Sequence, residues 1–255
     1  LVDDEVKEAA LREYRNFASH RDLLSGSWQP ATPLIITEGK TDWMHLKAAA
    51  TRLQASGQFA NLAFNLEEYD DSLRMGDAEL LRMCQQYAKT AQSRPHIFLF
   101  DRDNQRIVNQ TTTPGQPYKD WGNHVYSFAL PIPAHRATQP DISIELYYTD
   151  AAIQQPDAHG RRLFLSDEFN SRTGYHLTED LHCTDRNKYS SRNNVIIDHD
   201  VFRGRDPNNI AMTKNDFSQH ILAGDADFDS FDVSAFEELL VVVEQIVQAQ
   251  MPTID

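Results

Sequence analysis

Two apolar runs that each stop on acidic residues limit the folds open to this chain. Leu34, Ile35 and Ile36 lead into Glu38 and Gly39, with Asp42 four residues beyond the glutamate. Ile97, Phe98, Leu99 and Phe100 lead into Asp101 and Asp103. Short continuous apolar runs bounded by polar residues read as strands covered on both faces. After the first run, Met44, Leu46, Ala48, Ala49 and Leu53 recur at helical spacing within Trp43–Leu53. The chain there reads strand, tight turn, helix. Glu38 falls at the strand's C-terminal tip and Asp42 near the first helical turn. In α/β sheets that tip is where sites form. Residues two apart at an extended strand end point the same way, so Asp101 and Asp103 are expected to face one point. Four carboxylates on one sheet edge repel each other strongly unless a divalent cation neutralises them.

The intervening chain supports a parallel sheet. Gln58–Leu66 reads as a second strand. Ala78–Ala91 reads as a helix, with Leu80, Leu81, Cys84, Tyr87 and Ala88 on one face, which makes Cys84 a core residue. Strand, helix, strand, helix, strand is the α/β pattern, a Rossmann-like sheet flanked by helices. Gly39-Lys40-Thr41 imitates the end of a phosphate-binding loop. That motif needs a glycine five residues before its Gly-Lys pair, and Leu34 stands there.

A hydrophobic strand ending in Glu-Gly, followed later by one ending in Asp-x-Asp, resembles the TOPRIM pattern of topoisomerases, primases and certain nucleases. The further acid at Asp42 resembles the nuclease branch found in the OLD (overcoming lysogenisation defect) family. The resemblance spans roughly Thr32 to Leu222. It implies roles for two later matches. Ser143 and Glu145 in Ile142–Tyr148 resemble the Ser-x-Glu pair that completes the two-metal centre. Lys214, at a helix start capped by Thr213, resembles the late lysine placed on the phosphate. On this resemblance Glu38, Asp42, Asp101, Asp103, Ser143 and Glu145 hold Mg²⁺ or Mn²⁺, two ions in all. Glu38, Asp101, Asp103, Glu145 and Lys214 then carry phosphodiester cleavage of DNA or RNA. The family also implies anti-phage defence and work with an ABC-type ATPase. This sequence has no ATP-binding loop, so the ATPase would be a partner or an upstream region. The competing reading is a catalytically silent TOPRIM module that binds nucleic acid or a partner. No tyrosine is tied to the constellation, which leaves a topoisomerase reading without a nucleophile.

Among the 255 residues the formal net charge is −14. Such a balance argues against broad electrostatic attraction to nucleic acid. Metal bound to the carboxylates would offset part of it. Two distant cysteines, Cys84 and Cys183, fit a reduced, cytoplasmic protein, and no zinc spacing occurs. No signal peptide is evident, and the apolar run Leu239–Val243 is too short to span a bilayer.

The remaining segments divide the chain. Residues 1–31 read as an amphipathic helix, Val2–Ala18, and a linker. Residues 32–224 read as the nuclease domain, with a polar insertion around 156–194. Residues 225–255 read as an acidic linker, Asp225–Asp232, and a terminal helix. Gln105–Gly122 reads as a long polar loop, His124–Pro131 as a strand. Ile142–Tyr148 reads as an amphipathic strand, with Ser143 and Glu145 on one face, or as a helix start. Gly160–Asn194 holds Arg161, Arg162, Arg172, Arg186, Lys188 and Arg192, as either a phosphate-gripping cover or a solvated excursion. In the last helix Phe236, Leu239, Leu240, Val243, Ile246 and Val247 form a stripe that packs on the domain or on a partner chain, including a second copy.

Overall fold

Leu34–Thr37 form the first strand, β1, and every residue of it is buried. Its alternating side chains enter two different cores, because successive residues of a strand face opposite ways. The structure, a computed structural model, describes residues 32–69 and 75–250. The helix read in Val2–Ala18 lies outside the described residues. After β1 come helix α1 (Asp42–Ala55), strand β2 (Asn65–Leu66), helix α2 (Asp77–Tyr87) and strand β3 (His96–Phe100). Helix α3 (Gln105–Thr111), strand β4 (Lys119–Gly122) and strand β5 (Val125–Ala129) complete a five-stranded sheet of order β2-β1-β3-β5-β4. All neighbours pair in parallel except β4, which lies antiparallel on β5 at the edge. The protein is therefore an α/β fold with a mostly parallel, helix-flanked sheet of Rossmann-like type.

Ile35, Ile97, Leu99, Tyr126 and Phe128 enter one core, and Leu34, Ile36, Phe98, Phe100 and Val125 enter the other. The first is covered by α1, by α6 (Lys214–Ala223) and by α7 (Glu237–Gln248); the second by α2 and α3. Between α3 and α6 lie two short helices, α4 (Asp150–Ile153) and α5 (Arg186–Tyr189). From β1 the chain crosses to β2 on one side; from β3 it continues to β5 on the other. The C-terminal ends of β1 and β3 thus flank a topological switch point, where α/β sheets open a crevice.

Several expectations need correction. Gln58–Leu66 is a strand only at Asn65–Leu66; a turn carries Phe59 at φ 50° and buries Leu62 instead. Gln105–Gly122 is not a loop. The Asn104 side chain accepts from the Arg106 N–H and caps α3, whose Ile107, Val108 and Thr111 are buried. Lys119–Gly122 then forms β4. Ile142–Tyr148 is not a strand but holds a 3₁₀ turn at Ile144–Tyr147. Its side chains are buried all round, and buried Arg136 takes the Leu146 and Tyr148 carbonyls that a neighbouring strand would need.

Asp225–Asp232 is not a free linker. Phe228 is buried, Phe231 packs against the same core, and Arg52 of α1 donates to the carbonyls of Ile221, Phe228 and Phe231. The stripe of α7 likewise faces the sheet of its own chain. Gly160–Asn194 is no irregular excursion either. Strand β6 (Phe164–Leu165) pairs with β8 (Ile196–Ile197), and β7 (Leu181–Cys183) pairs with β9 (Val201–Arg203). Phe164, Phe169, Leu181, Cys183, Ile197, Val201 and Ala211 form its own small core.

Candidate metal centre

The Glu-Gly turn is built around a close approach. Glu38 follows the last residue of β1, and its Oε2 accepts the Asp101 backbone N–H at 3.2 Å, which ties the two strand tips together. The Gly39 N–H donates to Oδ2 of Asp42 at 2.6 Å. A side-chain carbon at position 39 would stand 2.4 Å from Oδ1 of Asp42, so only glycine fits while Asp42 keeps its place. Asp42 is buried at the first position of α1, where the helix dipole favours a negative charge.

Asp101 and Asp103 do not sit alike. The chain bends at Arg102 and Asp103, so the alternation of an extended strand does not carry through. Asp101 is half-buried and feels the charges of Asp42, Glu38 and Glu145, whereas Asp103 is exposed. The Arg102 N–H donates to the Ile142 carbonyl at 2.9 Å and its Nε to the Leu130 carbonyl at 2.6 Å. These bonds fix the segment carrying Ser143 and Glu145 beside the strand tip. Glu145 is 1% exposed. Its Oε2 accepts both Ser143 Oγ at 2.6 Å and Lys214 Nζ at 3.0 Å. Lys214 opens α6 as expected, with Thr213 Oγ1 accepting the Asp216 N–H at 3.0 Å.

Charge in this crevice is unbalanced. Burial, then repulsion from Asp103, pushes Glu38 up to about 7, with the Asp101 N–H pulling against it. Burial, then Glu145, pushes Asp42 up to about 6. Asp101 is raised well above the carboxylate range by burial and by Asp42, Glu38 and Glu145. Partial loss of solvent around its carboxylate raises exposed Asp103 too, with Lys214 opposing and Asp77 reinforcing. Glu145 is the exception: burial would raise it, but Lys214, His45 and Ser143 hold it low. Burial opposes the charge on Lys214, yet Glu145 and Asp101 keep its pKa above that of an ordinary lysine.

The donor set is carboxylate and hydroxyl oxygen, the ligand class of Mg²⁺ and Mn²⁺. Raised carboxylate pKa values mark negative charge that a divalent cation would offset. The chemistry of the residues therefore fits such an ion. Among the described residues no three His, Cys, Asp or Glu side chains form a ready-made cage. Glu38, Asp42 and Glu145 instead direct oxygens to the Asp101 N–H, the Gly39 N–H, and Ser143 with Lys214.

Four neighbours escaped the sequence reading. Tyr69 donates to the Thr37 carbonyl at 2.6 Å and braces the strand tip. Asp77 adds repulsion on Glu38 and Asp103. His45 and Tyr148 are fully buried and meet at 3.2 Å, Nδ1 to Oη. Spacing offered a signal for the last two, since each stands three residues after a named acid on a helical turn. The basic run of the insertion is partly neutralised: Arg161 pairs with Asp157 and Asp216, Arg162 with Glu168, and Lys188 with Asp198. No helix among the described residues is long and apolar enough to cross a membrane. Comparison with known family models, with curated proteins and with solved structures found no match.

Proposed function

We propose that this chain is a divalent-metal-dependent endonuclease with a TOPRIM-type centre like that of the OLD nucleases. One observation carries the reading: at the C-terminal ends of β1 and β3, Glu38 is tied to the Asp101 N–H, Asp42 to the Gly39 N–H and Glu145 to the Lys214 amine, with Asp103 beside them. Glu38, Asp42, Asp101, Asp103, Ser143 and Glu145 would hold Mg²⁺ or Mn²⁺. Bound there, two such ions supply an acidified water and counter-charge for the leaving oxygen of a phosphodiester. Glu145 and Ser143 hold Lys214 at the crevice until substrate arrives. Lys214 then turns its ammonium to the phosphate oxygens as negative charge builds on them.

The net charge of −14 suits weak binding of nucleic acid by this chain alone. That supports the further proposal, from the same resemblance, of an ABC-type ATPase partner or region in anti-phage defence. Affinity capture from the native host that recovers no ATPase, together with full activity of the isolated chain, would count against it.

The direct test incubates the chain with supercoiled plasmid and, in parallel, with tRNA, in Mg²⁺, in Mn²⁺ and in EDTA. Cleavage that needs metal and is lost in Glu38→Ala and Asp101→Ala is the expected result. Cleavage that survives in both variants would overturn the assignment. The second reading, a silent module, predicts no stabilisation of the fold by Mn²⁺.

A further inference from the structure

Three buried rings, His45, Tyr148 and Phe217, pack against one another. His45, Tyr148 and Phe217 each stand three residues after Asp42, Glu145 and Lys214. Their centroids are 5.5 Å apart for His45–Tyr148, 5.9 Å for His45–Phe217 and 5.9 Å for Tyr148–Phe217. All three are fully buried. His45 Nδ1 lies 3.2 Å from Tyr148 Oη, and His45 Nε2 is buried with no hydrogen-bond partner.

The hydrogen-bond inventory chooses the tautomer. With the proton on Nδ1, the ring would donate to Tyr148 Oη, and both the phenolic proton and the Nε2 lone pair would lack partners. With the proton on Nε2, Tyr148 donates to Nδ1 and only one group, the Nε2–H, is left over. Buried polar groups are rarely left unpaired, so the second arrangement is the better one. The charged group that acts most strongly on the ring is Glu145. Helical side chains lean toward the helix N-terminus, here toward the turn of Asp42.

Lys214 has three donors and gives one to Glu145 Oε2, and a shift of its ammonium toward a phosphate weakens that bond. Among the described residues Ser143 is then the hydrogen-bond donor left to this proposed metal-binding carboxylate, which is 1% exposed. We propose that His45 is a positioning residue whose Nε2–H takes over the Glu145 carboxylate, after a side-chain rotation, when Lys214 turns to the phosphate. The proposal rests on the nuclease reading above. Tyr148 selects the tautomer, and Phe217 of α6 lies beside the ring.

The test joins a spectroscopic readout to a kinetic one. Long-range ¹H–¹⁵N correlation spectra of metal-free protein labelled at histidine, with His45→Gln to assign the signal, should show His45 protonated on Nε2. Protonation on Nδ1 overturns the proposal whatever the activity. In the cleavage assay His45→Leu should lower kcat by about 10- to 100-fold, the usual loss for a ligand's supporting partner, with KM for nucleic acid unchanged. His45→Gln, which places an amide N–H near the Nε2 position, should recover most of that loss. Full activity in His45→Leu, or equal loss in both variants, overturns the role. If His45→Leu fails to fold, the tautomer and the glutamine variant still decide. Absence of cleavage by the wild-type chain would remove the nuclease reading and the role with it, whereas the Nδ1 tautomer removes the role alone.

Discussion

Replacing Glu38 with Gln should make the metal-free protein more stable at pH 8, an unusual outcome for a buried polar site. Glu38 titrates at about 7 in the fold against an ordinary 4.5, because burial and then Asp103 disfavour its charge. The sign follows from proton linkage. Between 4.5 and 7 the folded state holds a proton that the unfolded chain has released, so stability falls as pH rises through that window. Above it the full penalty stands, roughly 3 kcal/mol, reduced to about 2 by partial solvent contact. Glutamine carries no charge and keeps an oxygen for the Asp101 N–H. In a chain of this size the gain corresponds to a rise in Tm of about 4–8 °C at pH 8, and to none at pH 4. Thermal melts in EDTA across pH 4–8 measure it, and saturating Mn²⁺ should remove the advantage of the variant. A Glu38→Gln protein that melts below wild type at pH 8, or with the same pH slope, would refute the repulsion argument.

Three other substitutions probe the remaining links. Lys214→Met strips Glu145 of its cation and should cost about 3 kcal/mol at pH 8 by denaturant titration, less at pH 5 where Glu145 can take up a proton. It should also abolish cleavage. Gly39→Ala places a carbon on the Asp42 carboxylate and should cost about 1–3 kcal/mol while weakening Mn²⁺ binding in a calorimetric titration. Phe228→Ala should cost about 3–5 kcal/mol, because the acidic turn around it is seated in the main core rather than hung from it; a near-neutral melt would contradict that packing.

What the sequence made legible followed from strong local patterns. The runs Leu34–Ile36 and Ile97–Phe100 are uninterrupted and end on charge, so their strands, their C-terminal tips and the acids there could all be placed. Thr213 followed by Lys214 announced a helix start through its cap. Failure came where both faces of a segment are buried. In Ile142–Tyr148 alternation was read as a strand, yet Tyr147 and Tyr148 are as buried as Ile142, and Arg136 claims the carbonyls. In Gln105–Thr111 a mostly polar helix buries only a narrow stripe, which glycines and prolines farther along obscured. The acids of Asp225–Asp232 masked Phe228 and Phe231, whose burial decides where the segment lies. His45 carried a spacing signal that only the position of Tyr148, distant in sequence, makes meaningful.

The central claim is that the crowded carboxylates exist to hold divalent metal. Counting bound Mn²⁺ by electron paramagnetic resonance on the metal-free protein tests it most directly, with Asp101→Asn and Glu38→Gln alongside. The account predicts tight binding of about two ions by the wild-type chain and loss of that binding in both variants. A wild-type chain that leaves Mn²⁺ free in solution, or variants that bind as well as wild type, would contradict it.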